Sequence, residues 1–113
     1  MQFIYDGEYY KVIRVSGPSH NLLALSFGDS RNDSQLDIEV LQIDDKKETT
    51  ILKNNVREQV LLGINEFNKD FGTDYKVKKI QFITSDTPSG TIYKDLAKEL
   101  VKQIEDKGEF KSV

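Results

Sequence analysis

Val56, Val60, Ile64, Phe67 and Phe71 recur at spacings of 4, 4, 3 and 4, which lays five apolar side chains along one stripe of an α-helix. A helix of this kind must bury its stripe, and Gly72 supplies a left-handed stop directly after it. Its start has two readings: Asn55 with Glu58 resembles a capping box, and Thr49 or Thr50 suits an earlier beginning. A second stripe follows in Ile92, Leu96, Leu100 and Ile104, thickened by Ala97 and Val101. Lys94, Asp95, Lys98, Glu99, Lys102 and Glu105 fall on its wet side. Pro88 suits the first turn of this helix with Thr87 as cap, and Gly108 ends it.

The rest of the chain reads with a period of two. Residues 3–5 and 8–15 flank Asp6-Gly7, a pair suited to a two-residue type I′ hairpin. Ser16-Gly17-Pro18-Ser19 breaks the second strand, and the apolar run at residues 21–27 (Leu22, Leu23, Ala24, Leu25, Phe27) predicts a strand in the middle of a sheet. A polar loop at 28–35 leads into Leu36-Asp37-Ile38-Glu39-Val40, where the carboxylates of Asp37 and Glu39 share one face. Leu41 and Ile43 fall on that same parity, so either a bulge shifts the register or the face is partly covered. Residues 75–84 form a fifth strand whose lysines, Lys76, Lys78 and Lys79, suit an edge.

The order is therefore β-β-β-β-α-β-α. It predicts one α+β domain over 1–113, a five-stranded, largely antiparallel sheet with a meander of four strands and both helices on one face. A chain of 113 residues holds one core. Cysteine is absent, so the domain relies on that core and not on disulfides, which fits a reducing cytoplasm. No leader and no apolar run of membrane-spanning length is expected, so the reading is cytoplasmic with no membrane partner.

The net charge of −3 is unevenly spread. Residues 29–45 carry six acids, Asp29, Asp33, Asp37, Glu39, Asp44 and Asp45, against the single base Arg31. Such a field repels nucleic-acid backbones and attracts basic protein surfaces, although a short acidic stretch is also an ordinary solvated edge. Tyr9 and Tyr10 beside the first hairpin are of a residue type favoured at interfaces, and sheet propensity explains them equally well.

Chemistry is poorly provided for. The single histidine, His20, is placed in a turn-rich loop with no nucleophile elbow or cysteine beside it. No metal-ligand spacing is present, and Asp29, Arg31 and Asp33 lack the remainder of a calcium loop. Asp37 and Glu39 are spaced as any acidic strand spaces them. The loop from Ser85 to Thr91 precedes a helix N-terminus, where an anion is stabilised, yet it holds one glycine, no lysine and the repelling Asp86. A binding protein that is not an enzyme, without cofactor or metal, is the expectation. A small phosphate- or nucleotide-binding enzyme or sensor on the Ser85 to Thr91 loop is the alternative.

The closing strand-loop-helix unit, Ile80-Gln81-Phe82-Ile83-Thr84-Ser85-Asp86 followed by Ile92-Tyr93-Lys94-Asp95-Leu96-Ala97, resembles that of bacterial immunity proteins of contact-dependent growth inhibition and related toxin systems. The resemblance implies a cytoplasmic antidote that binds a cognate toxin domain, often a nuclease, and covers its basic active-site surface. Under it the expected contacts, chosen by charge and exposure, are Asp29, Asp33, Asp37, Glu39, Asp44, Asp45, Tyr9 and Tyr10. An inhibitor of some other basic enzyme would carry the same surface.

Overall fold

A computed structural model describes residues 2–16, 19–28, 39–42, 50–84 and 92–112. The elements run β1 (Gln2–Tyr5), β2 (Tyr10–Ser16), β3 (Ser19–Phe27), β4 (Glu39–Gln42), α1 (Thr50–Phe71), β5 (Val77–Thr84), α2 (Ile92–Glu105) and β6 (Lys111–Ser112). The class is α+β, as expected, but the sheet has six strands, in the order β4-β5-β3-β2-β1-β6. Pairing is antiparallel along β1-β2-β3-β5 and parallel at β4-β5 and β1-β6.

The expected four-strand meander is therefore replaced. α1 carries the chain back over the sheet, so β5 runs parallel to β4, as a helical crossover allows, and inserts between β4 and β3. Its apolar residues on both sides, Ile80 and Phe82 on one and Ile83 on the other, suit that inner place. The lysines read as edge guards do not guard an edge. Lys78 is the extra residue of a bulge, since Ser26 pairs with Lys79 and Phe27 with Val77. Lys79 reaches Glu8 at 3.3 Å and Lys76 lies 3.8 Å from Asp74. The bulge also turns Val77 to the core side, where it is buried.

Register partners share a sheet face. One face carries Phe3, Val12, Leu23 and Phe82 in one row and Tyr10, Leu25, Ile80 and Val40 in the next. These pack with Val56, Val60, Ile64 and Phe67 of α1 and Tyr93, Leu96, Ala97, Leu100 and Val101 of α2 in one core, so both helices lie on this face. Three expectations change here. Phe71, the last helical residue, is 64% exposed and stacks on Phe67 with ring centroids 4.5 Å apart. The stripe of α2 is rotated toward Tyr93, whose buried hydroxyl lies 3.1 Å from the Ile83 carbonyl oxygen and 3.3 Å from Asn21 Oδ1. His20 belongs to β3 and not to a loop, because β2 and β3 continue to the partners Ser16 and Ser19.

The helices meet closely. A Cβ on Gly63 would lie 2.6 Å from the Lys94 carbonyl oxygen, so the absence of a side chain lets the first turn of α2 rest on α1. Gln59 of α1 accepts the Tyr93 backbone N–H at 3.0 Å, occupying a donor that the start of α2 leaves open. Lys94 and Glu66 pair at 2.7 Å beside it, which lowers the Glu66 carboxyl below its ordinary value. Gly72 ends α1 at φ 66°, with Thr73 N–H donating to the Asn68 carbonyl at 3.1 Å. The Asn68 side chain then closes the turn, accepting from Thr73 and Tyr75 and donating to the Tyr75 carbonyl.

Candidate functional site

The hairpin between β1 and β2 sets the position of two expected contact residues. Tyr5 and Tyr10 are the last register pair, so the connection has four residues and not two. Asp6 builds it by accepting the N–H groups of Glu8 at 2.9 Å and Tyr9 at 2.7 Å, while Gly7 takes φ 98°. Those two donors, with Lys11 3.2 Å away, hold the Asp6 carboxyl down at about 2. Tyr10 faces the helix layer, stacked on Tyr5 at 4.4 Å and edge-on to Phe110 at 5.2 Å. Tyr9 falls on the opposite parity.

That opposite face is covered by neither helix. One of its rows is Gln2, Ile13, Leu22 and Ile83, and the next is Lys111, Ile4, Lys11, Ala24, Gln81 and Leu41. A third holds Ser26, Lys79 and Glu39. Ile4, Ile13, Leu22 and Ile83 are only half-buried and Leu41 is 42% exposed. Leu41 thus stays on the parity of Glu39 with no bulge between them. Apolar side chains on both faces of β2, β3 and β5 would suit a sheet covered twice, and the helices cover one face.

Two lysines of this face are tied to the hairpin, Lys11 to Asp6 and Lys79 to Glu8. Lys79 bridges the hairpin to the sheet through Glu8, stands in register with Glu39, and is held protonated above its ordinary value chiefly by the Glu8 hydrogen bond. Burial pushes the Tyr9 phenol up, Lys79 opposes the rise, and Glu8, Glu39 and Asp6 add to it. The structure therefore brings Tyr9 and Glu39 together around Lys79 and sends Tyr10 to the other face. Asp29, Asp33, Asp37, Asp44 and Asp45 lie outside the described residues, as does the Ser85 to Thr91 loop. Within the described part, Lys11, Lys79 and Lys111 balance Asp6, Glu8 and Glu39, so this face has no net charge of its own.

Sequence reasoning did not single out Ile4, Ile13, Leu22, Ile83 or Leu41 as a surface. The available signal was apolar character at both parities, as in Val12-Ile13 and Leu22-Leu23. Among the described residues no cluster of three or more histidine, cysteine, aspartate or glutamate side chains is placed to hold a metal ion, and no described helix is long and apolar enough to cross a membrane. Comparison with protein-family models gave no match, and comparison with curated proteins gave none.

Proposed function

We propose that this protein acts by binding another protein on the sheet face that neither helix covers. The observation that carries the reading is the set Ile4, Ile13, Leu22, Ile83 and Leu41, half-buried or exposed on a face that neither helix packs against. Contiguous apolar side chains rimmed by charged ones have the composition of an interface centre. Tyr9, Lys79 and Glu39 form the polar rim on one side. The acid-rich stretch at 29–45, which flanks β4 in the sequence, favours a basic partner surface.

Joined to the resemblance of the closing strand-loop-helix unit, this reading makes the protein an antidote. It would neutralise a toxin domain in the cytoplasm, in particular a nuclease, by covering the basic surface on which that enzyme holds its substrate. Apolar contact supplies residence time, and the acids steer the encounter.

Co-expression with any toxin domain encoded beside its gene tests the proposal. Wild-type chain protects the cell, and Leu41→Lys, at an exposed position that leaves the core intact, weakens the complex roughly 30-fold, the effect of losing an interface anchor worth about 2 kcal/mol. Asp37→Lys with Glu39→Lys slows association and flattens its salt dependence. A wild-type chain that gives no protection, or folded variants that bind as the wild type does, overturns the reading.

A further inference from the structure

The edge of the sheet formed by β6 is held by little. Among the described residues β6 makes two register pairs, Ile4 with Lys111 and Tyr5 with Ser112, parallel to β1. Phe110, just before it, sets its ring edge-on to Phe3 at 5.9 Å and to Tyr10 at 5.2 Å. The return from α2 is a tight turn in which Lys107 N–H donates to the Ile104 carbonyl at 3.1 Å and Gly108 N–H to the Gln103 carbonyl at 2.9 Å. The left-handed residue of that turn is Lys107, at φ 54°, and not the adjacent glycine. Gly108 serves a different need: a Cβ there would collide with the Gln103 side chain, whose amide donates to the Glu109 carbonyl at 3.1 Å.

A lysine in the left-handed region is strained, and the strain exists only while the chain doubles back. If α2 continues through Asp106 and Lys107, both take helical φ and the strain is relieved. The tail then leaves its own β1, whose outer edge and the slot between Phe3 and Tyr10 become vacant. The same tail on a second copy fits that vacancy with the Ile4–Lys111 and Tyr5–Ser112 pairs and the Phe110 ring contacts repeated.

We propose that the outer edge of β1, with the Phe3–Tyr10 slot, is a strand-acceptor site filled by residues 108–112 of the same chain in the monomer and by residues 108–112 of a second copy in an exchanged dimer, with Asp106-Lys107 as the hinge. The β1 pairs and the Phe110 ring contacts are kept on exchange and the turn's own hydrogen bonds are given up for helical ones, so the balance is set by the hinge and by protein concentration. This edge adjoins the sheet face that neither helix covers at Ile4 and Lys111, and the exchange it proposes does not require that face to bind a partner.

The cysteine-free sequence permits a direct test. Ile4→Cys and Lys111→Cys chains, each made alone, are mixed, unfolded, refolded together at high protein concentration and oxidised. The two positions are register partners on neighbouring strands, within disulfide reach. Exchange yields mixed disulfide dimers above random pairing, in a proportion that rises with concentration. Lys107→Gly, which removes the hinge strain, lowers the dimer fraction about fivefold or more, and Lys107→Val, whose β-branch makes positive φ costlier while helical φ stays open to it, raises it. Mixed disulfides at no more than the random yield, with Lys107→Val folded and monomeric by light scattering, overturn the proposal. Should Lys107→Val fail to fold, the mixed-disulfide yield alone decides.

Discussion

Replacing Gly63 with alanine sets two effects of opposite sign against each other. In an exposed helix interior the change stabilises by about 1 kcal/mol, because alanine is the better helix former. Here the new methyl carbon would stand 2.6 Å from the Lys94 carbonyl oxygen, where ordinary contact begins at 3.4 Å. α2 must therefore retreat by several tenths of an ångström. That retreat loosens the Gln59–Tyr93 hydrogen bond and the packing of Leu96 and Ala97, and overpacking of this size costs about 1–3 kcal/mol. The net expectation is a loss of about 1 kcal/mol, seen as a fall of roughly 4 °C in Tm and a lower midpoint in guanidinium with unchanged slope. The clash is with backbone, so the loss persists in a Lys94→Ala background. A Gly63→Ala protein more stable than the wild type would show that the helices do not approach as described, and would refute the reasoning.

Two other perturbations test the frame around the candidate face. Asp6 has its folded pKa lowered to about 2, so its ionised form supports the hairpin above the ordinary carboxylate range, and that support is lost as pH falls from about 4 through 2. Asp6→Asn should cost about 1 kcal/mol at pH 7, a value reduced from the full linkage because the turn is exposed; equal differences from wild type at pH 7 and pH 2 in urea unfolding would count against it. Tyr93→Phe removes a buried hydroxyl shared by Ile83 and Asn21 and should cost about 1–2 kcal/mol. Adding Asn21→Val should then cost little more, whereas strict additivity in the double-mutant cycle would show that the two groups are not coupled.

Both helices and the first three strands were legible because their apolar spacing is strong over many residues. The fold class followed, with the helices on one face. The order of β4 and β5 was not legible, because local pattern does not say which earlier strand a crossover returns to, and lysines near a strand start mark an edge no better than a bulge. The hairpin register was missed because the Asp6 carboxylate, by accepting two backbone donors, stabilises a four-residue loop over the tighter turn that Asp6-Gly7 also permits. Tyr93 was assigned to neither the buried stripe nor the wet side of α2, and one of its two acceptors, Asn21, lies 72 residues away in the chain. Of the expected contact residues, Glu39 and Tyr9 proved to be neighbours on one surface, a proximity created by Lys79 and invisible to spacing. The isoleucines of that surface were visible only as apolar residues without an assigned face.

The insertion of β5 between β3 and β4 has a consequence for synthesis. On the ribosome the β1-β2-β3 unit emerges first, and the backbone donors and acceptors of β3 that point away from β2 wait about fifty residues for their neighbour. Throughout that interval the nascent sheet presents a long apolar strand with an unpaired border, the kind of surface that recruits other nascent chains. Elongation speed between Gly28 and Lys76, and chaperone supply during it, should therefore govern the yield of native protein more than the stability of the finished fold does.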